Sequence, residues 1–167
     1  GQVPEPLQAL AASGHAPELW DNGPRWWLLP LRDAAAVRSL AWVERLDSVD
    51  TASLHTYIQS RRNRDAGFAW SKGMPSDAWA TFYCCETLKD LGIAIEQGTQ
   101  TAEWLHTLFD GDAYAMCPGQ TADVWATHYA VRTLVEVCDG RVADPDALYA
   151  WLEGLQCSNG GLSWSAD

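Results

Sequence analysis

The seven residues Asp77-Ala78-Trp79-Ala80-Thr81-Phe82-Tyr83 are written again as Asp123-Val124-Trp125-Ala126-Thr127-His128-Tyr129, 46 positions later and with five of seven identical. A segment that recurs at such a period is one supersecondary unit stacked on copies of itself. Other features keep step with it. The aromatic–aliphatic pairs Tyr57-Ile58, Trp104-Leu105 and Trp151-Leu152 stand 47 residues apart. Five positions beyond each aromatic come Arg62, Phe109 and Gln156, and then Ala66-Gly67-Phe68, Ala113-Tyr114 and Gly160-Gly161-Leu162. Between these markers the apolar residues recur at helical spacing, as in Ala36, Val37, Leu40, Val43 and Leu46. The chain therefore reads as all-α: about three helical hairpins in series, none able to bury its apolar face alone.

The spacing predicts helices over about 33–46, from Asp50 or Thr51 to about Arg61, and over about 77–91, 99–109, 122–138 and 145–156. Asp50 or Thr51, Ser76 and Thr121 are the expected N-caps. Asp77 and Asp123 then fall in first turns, favoured by the helix dipole and within reach of Thr81 and Thr127 at i+4. Gly92 and Gly140 stop helices, and Asp144-Pro145-Asp146 opens the last one. Residues 1–32 read as an arm or cap, with a short helix from Pro4 to Ala12, a turn at Trp20-Asp21-Asn22-Gly23-Pro24 and the apolar run Trp26-Trp27-Leu28-Leu29-Pro30-Leu31. That run is expected to pack across the first repeat or to meet a partner. Residues 33–167 form the repeat domain. It stops before the helix that the period calls for next, so it reads as part of a longer protein or as an incomplete array of repeats completed by another subunit or copy.

A net charge of −11 and a single basic cluster, Arg61-Arg62-Asn63-Arg64, disfavour nucleic acid and anionic lipid surfaces as partners. No apolar run approaches the ~20 residues of a membrane span, and no signal-peptide pattern is present. The five cysteines, odd in number and without a C-x-x-C spacing, are expected to be small buried hydrophobes in a reducing, cytoplasmic setting. Ten tryptophans in 167 residues supply either a thick core or an aromatic-lined cavity.

The run Trp151-Leu152 through Gln156 to Gly160-Gly161-Leu162 resembles the repeat of protein prenyltransferase β subunits and squalene-type terpene cyclases. The stretch Leu40-Ala41-Trp42-Val43-Glu44-Arg45-Leu46-Asp47-Ser48-Val49-Asp50, followed by Leu54 and Tyr57-Ile58-Gln59-Ser60, is also similar to those β subunits. The resemblance covers about residues 33–167. It implies an (α/α) toroid in which inner helices surround an aromatic cavity that takes an isoprenoid.

The catalytic motifs of that family are only partly present. Its zinc enzymes start an inner helix with Asp-x-Cys, and here Asp77-Ala78-Trp79 and Asp123-Val124-Trp125 keep the aspartate but put an indole, which cannot bind zinc, in place of the thiolate. Cys117, Asp123 and His128 could gather only if the loop folded back over the helix start. Class II cyclases use Asp-x-Asp-Asp-Thr, and Asp123-Val124-Trp125-Ala126-Thr127 lacks both inner acids that tune such a carboxyl. No metal or cofactor is expected from these residues; Zn²⁺ or Mg²⁺ would need ligands outside this stretch. Asp77, Asp123 and His128 are the catalytic candidates, with helix initiation as the plainer role of the aspartates.

Trp79 and Tyr83, like Trp125 and Tyr129, are i and i+4 and share a helix face, with Phe82 and His128 beside them. That face is either core packing or the binding wall for an isoprenoid or other apolar small molecule. Two function classes follow: a prenyltransferase- or cyclase-like isoprenoid protein, and a non-catalytic helical-repeat module that docks a partner subunit or itself. A carbohydrate-active (α/α) barrel would share the helix pairing, but no catalytic carboxylate pair can be picked out for it.

Overall fold

A computed structural model describes residues 50–165 without a break, and before them residues 20–21, 25–26, 37–38, 41, 44 and 46. The chain divides into two compact units, Gly1–Asp33 and Ala34–Asp167. In the first, β1 (Trp20–Asp21) pairs antiparallel with β2 (Arg25–Trp26), placing Trp20 opposite Trp26 around the expected turn. The helix expected from Pro4 to Ala12 and the run from Trp27 to Leu31 lie outside the described residues. So does most of the helix expected over 33–46, of which Val37, Arg38 and Ala41 are helical.

The second unit is built of helices: α1 (Thr51–Gln59), α2 (Ala78–Asp90), α3 (Gly98–His106), α4 (Val124–Arg132) and α5 (Pro145–Gly154). α4 runs straight on into a π-helical turn, Thr133–Val137. There the Thr133 hydroxyl donates back to the Tyr129 carbonyl at 2.7 Å, and the Cys138 N–H donates to the Thr133 carbonyl at 2.9 Å, one residue wider than α geometry. α2 and α3 make one hairpin, and α4 with its π turn and α5 make the next. The leading helices α2 and α4 pack side by side.

The helix starts differ from the sequence expectation. Asp77 itself caps α2, its Oδ1 accepting the Ala80 N–H at 2.7 Å, and Asp123 caps α4 by accepting from Trp125 and Ala126 at 2.8 and 2.9 Å. Ser76 and Thr121 are not the caps. Ser76 is used elsewhere: its hydroxyl donates to Asp65 at 2.8 Å and accepts from the Asn63 amide at 3.0 Å. Asp50 and Asp144 cap α1 and α5 as expected, and Pro145 sits in the first turn of α5.

Nor do Thr81 and Thr127 turn their hydroxyls to the aspartates. Each reaches 13 residues back along the chain, where it accepts the backbone N–H of Phe68 at 2.9 Å and of Tyr114 at 3.1 Å. Both threonines are buried, and Phe68 and Tyr114 are fully enclosed. The reason is steric and electrostatic at once. The ring that plugs the layer between helices drags its own N–H into the core, where a partner is obligatory. Single bridges, Arg62 to Phe68 and Phe109 to Tyr114, close these loops, and Gln156 to Leu162 closes the third.

The loops also join one repeat to the next. The first N–H of α2, at Ala78, donates to the Met116 carbonyl at 2.9 Å, and that of α4, at Val124, to the Trp164 carbonyl at 3.2 Å. Gly67 is needed where the first loop is tightest: a Cβ there would lie 2.6 Å from Ser76 Cβ and 2.9 Å from the Trp104 ring. Of the five cysteines Cys85 is buried, Cys84, Cys117 and Cys138 are partly covered and Cys157 is exposed, so not all of them are the buried hydrophobes expected. None is paired, and among the described residues no helix is long and apolar enough to cross a membrane.

Candidate functional site: an aromatic wall on α2 and α4

The repeated Asp-x-Trp-Ala-Thr-x-Tyr frame begins α2 and α4, so the neighbouring helices bring the same ring positions side by side. Trp79 lies parallel to Tyr129, centroids 6.1 Å apart and planes 4° from coplanar, and meets Trp125 edge-on at 6.3 Å. Tyr83 stands 6.4 Å from Trp79 and 6.0 Å from Tyr129. Two loop tryptophans that sequence reasoning did not single out extend the group. Trp70 packs edge-on against Trp79 at 4.8 Å, and Trp164 lies 5.4 Å from Trp125. A signal for them was present: Trp70 follows Phe68 by two residues, as Trp164 follows Leu162.

The wall is graded in exposure. Phe82 and Tyr129 are core residues, Trp79 and Tyr83 are partly covered, and Trp125 and Trp164 are 46% and 55% exposed. Of the five aromatics proposed as binding residues, Phe82 and Tyr129 thus form the backing, and Trp79, Tyr83 and Trp125 bear the accessible surface. The indole N–H of Trp79 is buried without a hydrogen-bond partner among the described residues. Burial pushes the Tyr129 hydroxyl up to about 12, helped by its neighbour Tyr83, so the phenol is neutral at physiological pH.

The two aspartates at the upper end are not equivalent. Asp77 is buried, and desolvation pushes its carboxyl from 3.8 up to about 6 against the pull of N–H donors from Ala80, Trp79 and the Trp70 indole. Asp123 is partly exposed, and the residue in the place of Trp70 is Met116, which has no N–H to offer. His128 stands exposed with its ring 6.2 Å from Phe82 and 5.6 Å from Tyr129, at the outer edge of the wall. Cys117 lies on the loop before α4, its thiol donating to the Ser76 carbonyl at 3.8 Å. Cys117, Asp123 and His128 do not gather, and among the described residues no three His, Cys, Asp or Glu side chains converge as a metal site would. Burial pushes the Cys84 thiol up to about 12 and Cys138 to about 11, which keeps both protonated near neutrality.

The lower end of the wall is ionic. Arg132 lies over the Phe82 ring at 4.9 Å and donates to Glu86 at 2.7 Å and to Glu136 at 2.8 Å. Arg38 pairs with the same Glu86 and donates to Asp90 at 2.6 Å. Glu86 and Arg132 stand at one repeat position of α2 and α4, 46 residues apart, and Arg38, 48 residues before Glu86, pairs with the same carboxylate.

The Prenyltransferase alpha-alpha toroid domain model matches residues 32–107 and again residues 70–166. Among solved structures, Candida albicans protein geranylgeranyltransferase-I, determined as a complex with GGPP, superposes with a TM-score of 0.73 at 19% identity, over 89% of this chain and 48% of that one. The chain thus spans about half the length of the solved structure it matches. No curated protein matches.

Proposed function

The chain belongs to the prenyltransferase alpha-alpha toroid family, and from that premise we propose that it contributes to an isoprenoid-binding cavity, with Trp79, Tyr83 and Trp125 as its apolar contact surface on α2 and α4. The observation that carries this reading is the continuous run of rings from Trp70 through Trp79, Tyr129 and Trp125 to Trp164. A core needs no such run of partly open tryptophans; a branched, unsaturated hydrocarbon fits it by dispersion and ring-face contact. The solved relative holding GGPP is in keeping with this. In this reading Asp77 and Asp123 act first as helix caps, and His128 edges the wall. Zn²⁺ or Mg²⁺, where the whole protein uses one, would take its ligands from residues outside this stretch. Five unpaired cysteines fit a reducing, cytoplasmic setting.

The test is a titration of tryptophan emission with a C20 isoprenoid, using wild type and Trp125→Ala. A saturable change that weakens in the variant supports the reading. No change up to the ligand's solubility limit sinks it. A second reading, docking of a partner subunit or a second copy, is favoured by the exposure of Leu162 at 64% where Phe68 and Tyr114 are fully buried. Mass in solution by light scattering distinguishes self-association from a single chain.

A further inference from the structure

The charges around the wall discriminate between forms of the ligand. A prenyl diphosphate needs cationic donors at one end of its hydrocarbon, and the strong ones are guanidinium groups free to fork onto phosphate oxygens. At the lower end of this wall the two guanidinium groups, Arg38 and Arg132, are each engaged by two carboxylates, Glu86 being shared. With Asp90 and Glu136 the set comprises two arginines against three acids, and exposed Lys89, beside Glu136, brings it only to neutrality. At the upper end stand Asp77 and Asp123. Arg61 and Arg62 are turned elsewhere, stacked over Tyr57 and Phe68 in the layer behind α2. Lys72, on the loop before α2, is exposed and screened by water. His128 is the remaining donor among the described residues at the wall, and one imidazole cannot balance a diphosphate.

What the wall does offer is of another kind: ring faces with negative quadrupoles, the neutral Tyr129 hydroxyl, an unpartnered Trp79 indole N–H and carboxylates at its upper end. These favour a neutral chain with a polar oxygen, or a positive centre lying over the rings. We infer that this wall takes an uncharged or cationic isoprenoid and disfavours the diphosphate form. The inference rests on the isoprenoid reading above and narrows it.

Three C20 probes with one hydrocarbon separate the cases: geranylgeraniol, geranylgeranyl-trimethylammonium and geranylgeranyl diphosphate, each titrated with and without Mg²⁺ while tryptophan emission is followed. The alcohol and the ammonium are expected to bind at least about tenfold tighter than the diphosphate, a ratio that raised salt narrows. Glu86→Gln/Glu136→Gln, which releases Arg132, is expected to raise diphosphate affinity severalfold and leave the alcohol unchanged. Equal or tighter binding of the diphosphate by wild type overturns the inference while leaving the isoprenoid reading intact. Failure of all three probes to bind overturns both.

Discussion

Replacing Thr81 by valine removes one hydroxyl and keeps the shape of the side chain, so it isolates what that hydroxyl does. In the native fold it accepts the Phe68 N–H at 2.9 Å, in a site where both residues are buried. Valine leaves that N–H with no acceptor and no route to water, since the Phe68 ring seals the position from behind. An orphaned buried donor costs about 1–3 kcal/mol. For a unit of this size that lowers Tm by about 3–10 °C. Thermal and urea unfolding, followed by far-ultraviolet circular dichroism, measure it. Thr81→Ser retains the oxygen and should recover at least half the loss. Thr127→Val breaks the equivalent bond to Tyr114 at 3.1 Å and should cost a similar amount. Thr56→Val removes an exposed hydroxyl that only donates to the Ala52 carbonyl, and should be near neutral. If Thr81→Val unfolds within about 0.3 kcal/mol of wild type, the buried-donor argument is wrong.

Further outcomes follow from the same geometry. Burial raises the Asp77 carboxyl from 3.8 to about 6, so the folded chain holds that proton more tightly than the unfolded one. Its contribution is fully present below about pH 4 and is lost as pH rises through 6, amounting to roughly 3 kcal/mol. Asn caps a helix as well as Asp, so the stability difference between wild type and Asp77→Asn should favour wild type more at pH 4 than at pH 7.5; a pH-independent difference in urea midpoints would contradict this. Gly67→Ala drives a methyl into Ser76 and Trp104 and should cost about 1–3 kcal/mol. Gly98→Ala, at the open start of α3, should be neutral or stabilising by up to about 1 kcal/mol in the same urea titration. Trp125→Ala, at a ring 46% exposed, should cost about 2–3 kcal/mol of stability, leave the chain folded and weaken isoprenoid binding about tenfold.

The pairing Trp79/Tyr83 with Trp125/Tyr129 was legible because i,i+4 residues share a helix face whatever the surroundings, and the repeat guaranteed that two such faces would meet. The caps were harder. Ser76-Asp77 offers two good capping residues in a row, and local propensity cannot tell which one tertiary structure will claim. Here Asp65 and Asn63 claim Ser76, leaving the helix to Asp77. The Thr81 and Thr127 bonds span 13 residues and depend on where Phe68 and Tyr114 come to rest, which no window of sequence reveals. The opposite charges of Glu86 and Arg132 were written in the sequence at the repeat spacing, but their pairing, and the part Arg38 takes in it, needs the helices side by side. Asp77 and Asp123 look identical in the frame. They differ in burial, and in the residue seven positions upstream, Trp70 for one and Met116 for the other.

The two backbone bonds from Ala78 to Met116 and from Val124 to Trp164 run forward along the chain: each leading helix has its first N–H satisfied by the loop that follows its own hairpin. During synthesis a leading helix is therefore unfinished until the rest of its own hairpin and the loop after it have emerged, and order propagates in one direction along the chain. Loss of order should start at the exposed loop of Leu162 and Trp164 and retreat toward α2. Amide exchange should accordingly rise stepwise by repeat, with the Val124 amide exchanging before that of Ala78.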